Sequence, residues 1–404
     1  MFKKVLIIAL KEDWTGISRL PSGLDRAGFK VLALCPRNSY LAKTKFIINY
    51  ILYPTFTYSR SKLIYLWITF ATFYFSPDLI IPGDEDTILA LQNLSNFYEK
   101  IPLFNKISKL IRKSITSKMF DTIILSKSEF QMKCKEWGIR SPQNIVIDNV
   151  ESALLESSKM GYPVVLKNDS GYGGTGVFIC QNRIEIIKCF QKVQNDTLLK
   201  TIKKNIRDFL FVSIHCNDQK ISLQQYIEGQ VGQSPFCAQD GVVFGFNPML
   251  RIKTYPGKTG PASVSCGYED KDIQQFVNKV VCQLNYNGFG SLEYMLEEKS
   301  GLIYVIELNP RPTPTCHIGN NIVPNDLCQL FYQGLNSFST NLEKFKPYTI
   351  AMFPGEMRRD PKSSYLVNSY HDIPLNDPLL REALETQLNI KNNDVGIYED
   401  RQKV

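Results

Sequence analysis

Apolar residues along this chain fall into short runs separated by glycine, proline and charge, and the early runs are too continuous for half-exposed strands. Lys4 to Leu10 and Lys30 to Leu34 are such runs, while Gly16 to Gly28 between them carries its apolar positions at helical spacing. A further unit follows in SPDLIIPGDEDTILALQNL, with a strand at Leu79 to Ile81, a loop at Pro82 to Glu85 and a helix over Thr87 to Leu94. This order predicts a doubly wound sheet with its ligand edge at the carboxyl ends of the strands. Farther on, Pro163 to Leu166 reads as a buried strand ending at Lys167, and Val177 to Cys180 as another. SLEYML and YVIELNP read as two more strands, and beyond Ser337 the pattern weakens into what looks like a small appended segment.

Chemistry enters between these strands. Gly171, Gly173, Gly174 and Gly176, with Tyr172 and Thr175 among them, free backbone N–H groups for anions directly after Lys167. A lysine is a mobile point charge suited to phosphate oxygens that shift during transfer. The spacing lacks the GK[ST] ending of a Walker loop, so it predicts a strand, a glycine hairpin and a strand that close over phosphates. A ligand-free mobile hairpin has the same composition. Glu307 and Asn309 stand two apart in a strand and share a face, and Glu293 sits mid-strand. Leu292, Met295, Val305, Ile306 and Leu308 bury these strands, and buried carboxylates need a cation. Two carboxylates and an amide oxygen suit magnesium when phosphates complete its shell. Arg311, after Pro310, is a candidate to neutralise a transferring phosphoryl group or a substrate carboxylate.

From about Phe120 to Leu335 the elements resemble the ATP-grasp family of carboxylate-activating ligases, which includes carbamoyl-phosphate synthetase large subunits, biotin carboxylases and D-alanine ligases. A lysine opens a helix in SKSEFQMKCKEWGIRSP (Lys127), and PVVLK with its glycine loop follows. Next come LQQYIEG, similar to the family's hinge, the basic strand MLRIKTYPG, and GFGSLEYML with YVIELNPRP. The resemblance implies an α/β protein, α+β in its ATP-grasp part. Its divisions would be a Rossmann-like domain over 1–119, an ATP-grasp domain over 120–335 with a lid at about 150–228, and a segment over 336–404. It further implies ATP held by Lys127, Lys167, the 171–176 loop and the hinge residues Gln225, Tyr226, Ile227 and Glu228. Arg251 or Lys253 would reach the γ-phosphate. Glu293, Glu307 and Asn309 would bind two magnesium ions, with manganese as a substitute, and Arg311 would meet an acyl phosphate. The implied activity joins a small-molecule carboxylate to an amine. A nucleotide-binding protein without turnover and a phosphotransferase acting on another acceptor remain the alternatives. Gln225 departs from the glutamate that many members carry, and homodimers are common among similar proteins.

Composition narrows the rest. The 404 residues support two or three domains, and the net charge of +8 sits mainly in lysine clusters, Lys106 to Lys118 and Lys200 to Arg207, that read as solvated helix faces. No nucleic-acid module accompanies them. Ten cysteines stand without CxxC pairs, which suits reduced thiols and a cytoplasmic setting. Only three histidines leave little for histidine-based chemistry. The aromatic stretch Phe46 to Phe75 is divided by Pro54, Ser59, Arg60 and Lys62 into pieces shorter than the ~20 residues of a spanning helix, so no membrane partner is expected and a pair of buried helices is. Asp84, Glu85 and Asp86 could cap a helix or touch substrate, as could Asp13, Trp14 and Thr15.

Overall fold

A computed structural model describes residues 3–12, 14–54, 63–168, 176–194, 220–257, 260–337 and 341–388, and over this extent the chain forms three sheets. The first holds β1 (Lys4–Ile8), β2 (Lys30–Pro36), β3 (Asn49–Tyr53) and β4 (Leu79–Pro82), all parallel, in the order β3-β2-β1-β4. Val5 and Ile7 of β1 pack into one core, Leu6 and Ile8 into another. Both faces are covered, which is why the run is continuously apolar. The strands beside β1 are reached in opposite directions, a switch point whose carboxyl-end crevice suits a ligand. Asp84 fixes that edge: it caps the helix Glu85–Tyr98 by accepting from the Thr87 N–H at 2.8 Å. It also accepts from the N–H groups of Leu10 and Lys11 at 2.7 and 3.0 Å, tying the end of β1 to the end of β4.

The aromatic stretch departs from expectation. Its first part is the edge strand β3, and the helix Leu63–Phe75 buries only Ile64, Ile68, Ala71, Thr72 and Phe75. Apolar residues occupy its outer side as well, so its sequence carries no polar stripe from which the buried face could be read. No helix among the described residues is long and apolar enough to cross a membrane.

The second sheet is antiparallel, with β5 (Asn144–Ile147), β6 (Val164–Asn168), β7 (Val177–Cys180) and β8 (Ile221–Gln225) in the order β5-β8-β6-β7. The third contains β9 (Gly229–Gln239), β10 (Val242–Phe246), β11 (Met249–Thr254), β12 (Ala262–Gly267), β13 (Gly288–Glu297), β14 (Ile303–Asn309), β15 (Thr349–Ala351) and β16 (Tyr370–His371). Its path runs β14-β13-β9-β11-β12-β15-β16, with β10 against β9. Only β15 and β16 pair in parallel there, so the fold is a parallel α/β beginning followed by sheets of mixed orientation. Gly229 makes the start of β9 possible, because a Cβ there would stand 1.9 Å from the Leu296 carbonyl oxygen on β13. Cys237, Phe289, Leu327 and Phe331 from the third region join Val5, Ile7 and Leu24 of the first in one core.

Candidate active site

Antiparallel pairing sets Glu293 of β13 directly opposite Glu307 of β14, and Ser291 opposite Asn309. Period two then gives Glu293, Glu307 and Asn309 one face. Like charges directly across a ladder repel, so this arrangement calls for cations. They arrive from three other elements. Ser126 caps the helix Lys127–Glu136, its hydroxyl accepting from the Glu129 N–H at 3.3 Å, which puts Lys127 at the helix start. Its Nζ reaches Glu307 Oε2 at 2.8 Å. Arg251 of β11 meets Glu293 Oε1 at 2.7 Å, and the Asn309 amide donates to the same oxygen at 2.9 Å. Lys167, buried in β6, donates to Gln224 Oε1 at 2.7 Å.

Gln224 joins the sheets. Its side-chain oxygen also accepts from Gln131 Nε2 at 2.9 Å, and that nitrogen donates to the Ile306 carbonyl at 2.7 Å. One amide pair therefore links the lysine strand, the Lys127 helix and β14. Burial raises the Glu307 carboxyl, but Lys127, Lys167 and Arg251 together more than offset this and hold it below the ordinary value. Three cations, Lys127, Lys167 and Arg251, face two carboxylates, Glu293 and Glu307, leaving a net positive charge suited to a polyphosphate. Arg251 Nε is buried with no hydrogen-bond partner, an unspent donor beside the carboxylates.

Among the described residues no group of three or more His, Cys, Asp and Glu side chains gathers as a metal cage. Two carboxylates and an amide oxygen make an incomplete set of hard ligands, the kind magnesium accepts when phosphate and water supply the rest.

Other predicted residues lie apart. Lys253 is exposed two positions along β11. Gln225, Tyr226, Ile227 and Glu228 join β8 to β9, with Ile227 buried and Gln225 and Glu228 exposed. The Gln225 N–H already donates to the Gln143 carbonyl at 2.8 Å, and the Glu228 carbonyl accepts from Glu298 at 3.0 Å. Gly176 accepts from the Asn168 N–H at 3.0 Å, whereas Gly171, Tyr172, Gly173, Gly174 and Thr175 lie outside the described residues, as does Asp13.

Arg311 turns to the first sheet. Its Nε donates to Glu85 Oε1 at 2.7 Å, and its guanidinium lies 4.5 Å from the Trp14 ring centroid. Lys11 Nζ stands 3.3 Å from the other Glu85 oxygen. Asp84 thus caps a helix while its neighbour Glu85 reaches across 226 positions of sequence. Gln131, Gln224 and Lys11 carry no role expected from sequence, and Glu85 is expected there only as a helix cap or a substrate contact, not as the partner of Arg311. For Gln224 a signal exists: it is a polar residue on the strand face that packs beside Lys167. For Glu85 nothing local distinguishes it from a solvated first-turn acid. His317 is buried against Asp372 Oδ1 at 3.0 Å and fastens the C-terminal segment to the fold.

Comparison with known proteins adds three findings. Residues 124–315 match the family described as ATP-grasp domain. Carbamoyl-phosphate synthase from Methanobrevibacter smithii is 24% identical over 283 residues, covering 66% of this chain and 64% of that protein. The carbamoyl phosphate synthase large chain of Neisseria meningitidis serogroup B is 23% identical over 47% of this chain but 16% of its own length. The chain thus spans less than two thirds of these relatives. Among solved structures, the biotin carboxylase domain dimer of Hydrogenobacter thermophilus 2-oxoglutarate carboxylase, in complex with MgADP, ADP and bicarbonate, shares the fold. Its TM-score is 0.63 at 17% identity, over 86% of this chain and 74% of that one.

Proposed function

We propose, for a chain whose residues 124–315 are an ATP-grasp domain, that it is an ATP- and magnesium-dependent ligase joining a small-molecule carboxylate to an amine. The observation that carries this reading is the registered Glu293–Glu307 pair with Asn309 beside it, answered by Lys127, Lys167 and Arg251. The same reading divides the chain into a Rossmann-like N-terminal domain over 1–119, the ATP-grasp domain over 120–335 with its lid at about 150–228, and the segment 336–404.

Glu293, Glu307 and the Asn309 oxygen would hold two magnesium ions. Bound there, magnesium supplies charge neutralisation for the phosphates. Lys127 and Lys167 would release their present partners to the α- and β-phosphates, and Arg251, with its unspent Nε, would meet the γ-phosphate. Exposed Lys253 is the weaker candidate for that contact. The base would take its hinge contact from Ile227, since the Gln225 N–H is already committed. A carboxylate oxygen of the acceptor attacks the terminal phosphorus, the bond to the β–γ bridging oxygen breaks, and ADP leaves. The amine then attacks the acyl carbon, losing a proton and expelling phosphate. Arg311, positioned by Glu85 and Trp14, would steady the acyl phosphate. These residues work by alignment and charge neutralisation, so no side-chain nucleophile is needed.

Product analysis tests this. Purified protein, magnesium, ATP and paired acids and amines should yield ADP, free phosphate and an amide in equal amounts by mass spectrometry. A phosphorylated acceptor without free phosphate, or bound ATP that is never turned over across the panel, would overturn the ligase reading.

A further inference from the structure

The helix Leu63–Phe75 has no charged residue, and its outer side is as apolar as its inner one. Leu66, Phe70, Phe73 and Tyr74 are each more than half exposed, as are Phe97 and Leu103 beside them. The aromatic rings fall into two contact groups. Phe70 stacks on Tyr74 with centroids 5.8 Å apart, Phe73 meets Phe104 edge-on at 6.3 Å, and Phe104 stacks on Tyr98 at 4.4 Å. Phe97 follows at 5.7 Å from Tyr98. An exposed patch of this kind marks a contact surface rather than ordinary surface scatter.

Charge identifies what covers it. The adjoining run from Phe97 through the helix Asn105–Ser114 exposes Lys100, Lys106, Lys109 and Lys113. Its acid, Glu99, is answered by Lys118 at 2.8 Å, and Arg112 is answered by Asp121 at 2.7 Å. The helix Leu63–Phe75 adds no acid. A symmetric contact with a second copy would bring these lysines toward their own counterparts, which electrostatics opposes. A surface that is apolar below and anionic at its boundary satisfies both features: rings and leucines enter the acyl boundary while lysines meet headgroups.

We propose that this face is a peripheral docking site for an anionic lipid surface, with Phe70, Phe73, Tyr74 and Leu103 inserting and Lys100, Lys106 and Lys109 contacting headgroups. The site lies on the far side of the first sheet from the core shared with the third, so it leaves the nucleotide residues free. Binding is therefore separable from turnover.

Co-sedimentation of the full chain with vesicles tests it, comparing pure phosphatidylcholine with equal parts phosphatidylcholine and phosphatidylglycerol. The protein should pellet with the mixed vesicles, less so at high salt, and hardly with neutral ones. Lys106→Glu with Lys109→Glu should weaken binding by roughly tenfold or more. Phe70→Ser with Phe73→Ser should weaken it comparably while the melting temperature shows a folded protein. If the phenylalanine variant fails to fold, the surface lysine variant still decides. Equal pelleting of the lysine variant, equal binding to neutral vesicles, or no pelleting at all would overturn the proposal. A concentration-dependent dimer abolished by the phenylalanine substitutions would assign the face to a second copy instead.

Discussion

Glu307 is where the charges of three elements meet: a helix start, the glycine-loop strand and, through Glu293, the basic strand β11. That convergence distinguishes Arg251 from Lys253. Arg251→Ala should lower ATP turnover about a hundredfold or more, because it removes a positioned cation at a developing charge, whereas Lys253→Ala should leave turnover near wild type. Steady-state ADP release reads the difference. Glu85 makes a separate prediction about acid. Burial raises its carboxyl, but Arg311 and Lys11 lower it further, to about 2. A carboxyl depressed in the folded state stabilises fully above its unfolded value near ~4.3 and loses that contribution as pH falls through about 2. Glu85→Gln should therefore cost about 2 kcal/mol at neutral pH, allowing for solvent at its rim, and remove the corresponding slope below about pH 5. Urea midpoints across pH check it. The residues of the carboxylate face are legible in sequence because period two is local: Glu307 and Asn309 must share a side. The Glu85–Arg311 contact is not, since it depends on how the first sheet meets the end of β14.

Elements carry the site by their ends. The cap at Ser126 aims Lys127, the end of β14 presents Asn309 and then Arg311, and Asp84 locks the β1 and β4 ends together. The chain passes from β8 to β9 through Tyr226, Ile227 and Glu228, the proposed hinge, and Gly229 lets it press against β13. Gly229→Ala should destabilise the protein by about 2 kcal/mol or more and raise the KM for ATP, because a Cβ at 1.9 Å from a carbonyl oxygen forces hinge and β13 apart. Thermal melting with and without ATP separates the two effects. Strands with continuous apolar runs announce themselves, as β1 and β2 do. The helix Leu63–Phe75 does not announce its buried face, because a helix apolar on both sides has no stripe to read.

At the scale of the molecule, the first sheet and the third share a core, while the second sheet touches the carboxylate face through Lys167, Gln224 and Gln131. We propose that Glu293, Glu307 and Asn309 form the metal face of an ATP-consuming ligase. Magnesium-dependent ADP release, measured over a panel of carboxylate and amine pairs for wild type, Glu307→Gln and Asn309→Ala, tests it most directly. Release by the wild type that disappears on chelation and in both variants, with melting temperatures showing folded proteins, is the predicted result. Folded variants that release ADP at the wild-type rate would contradict it.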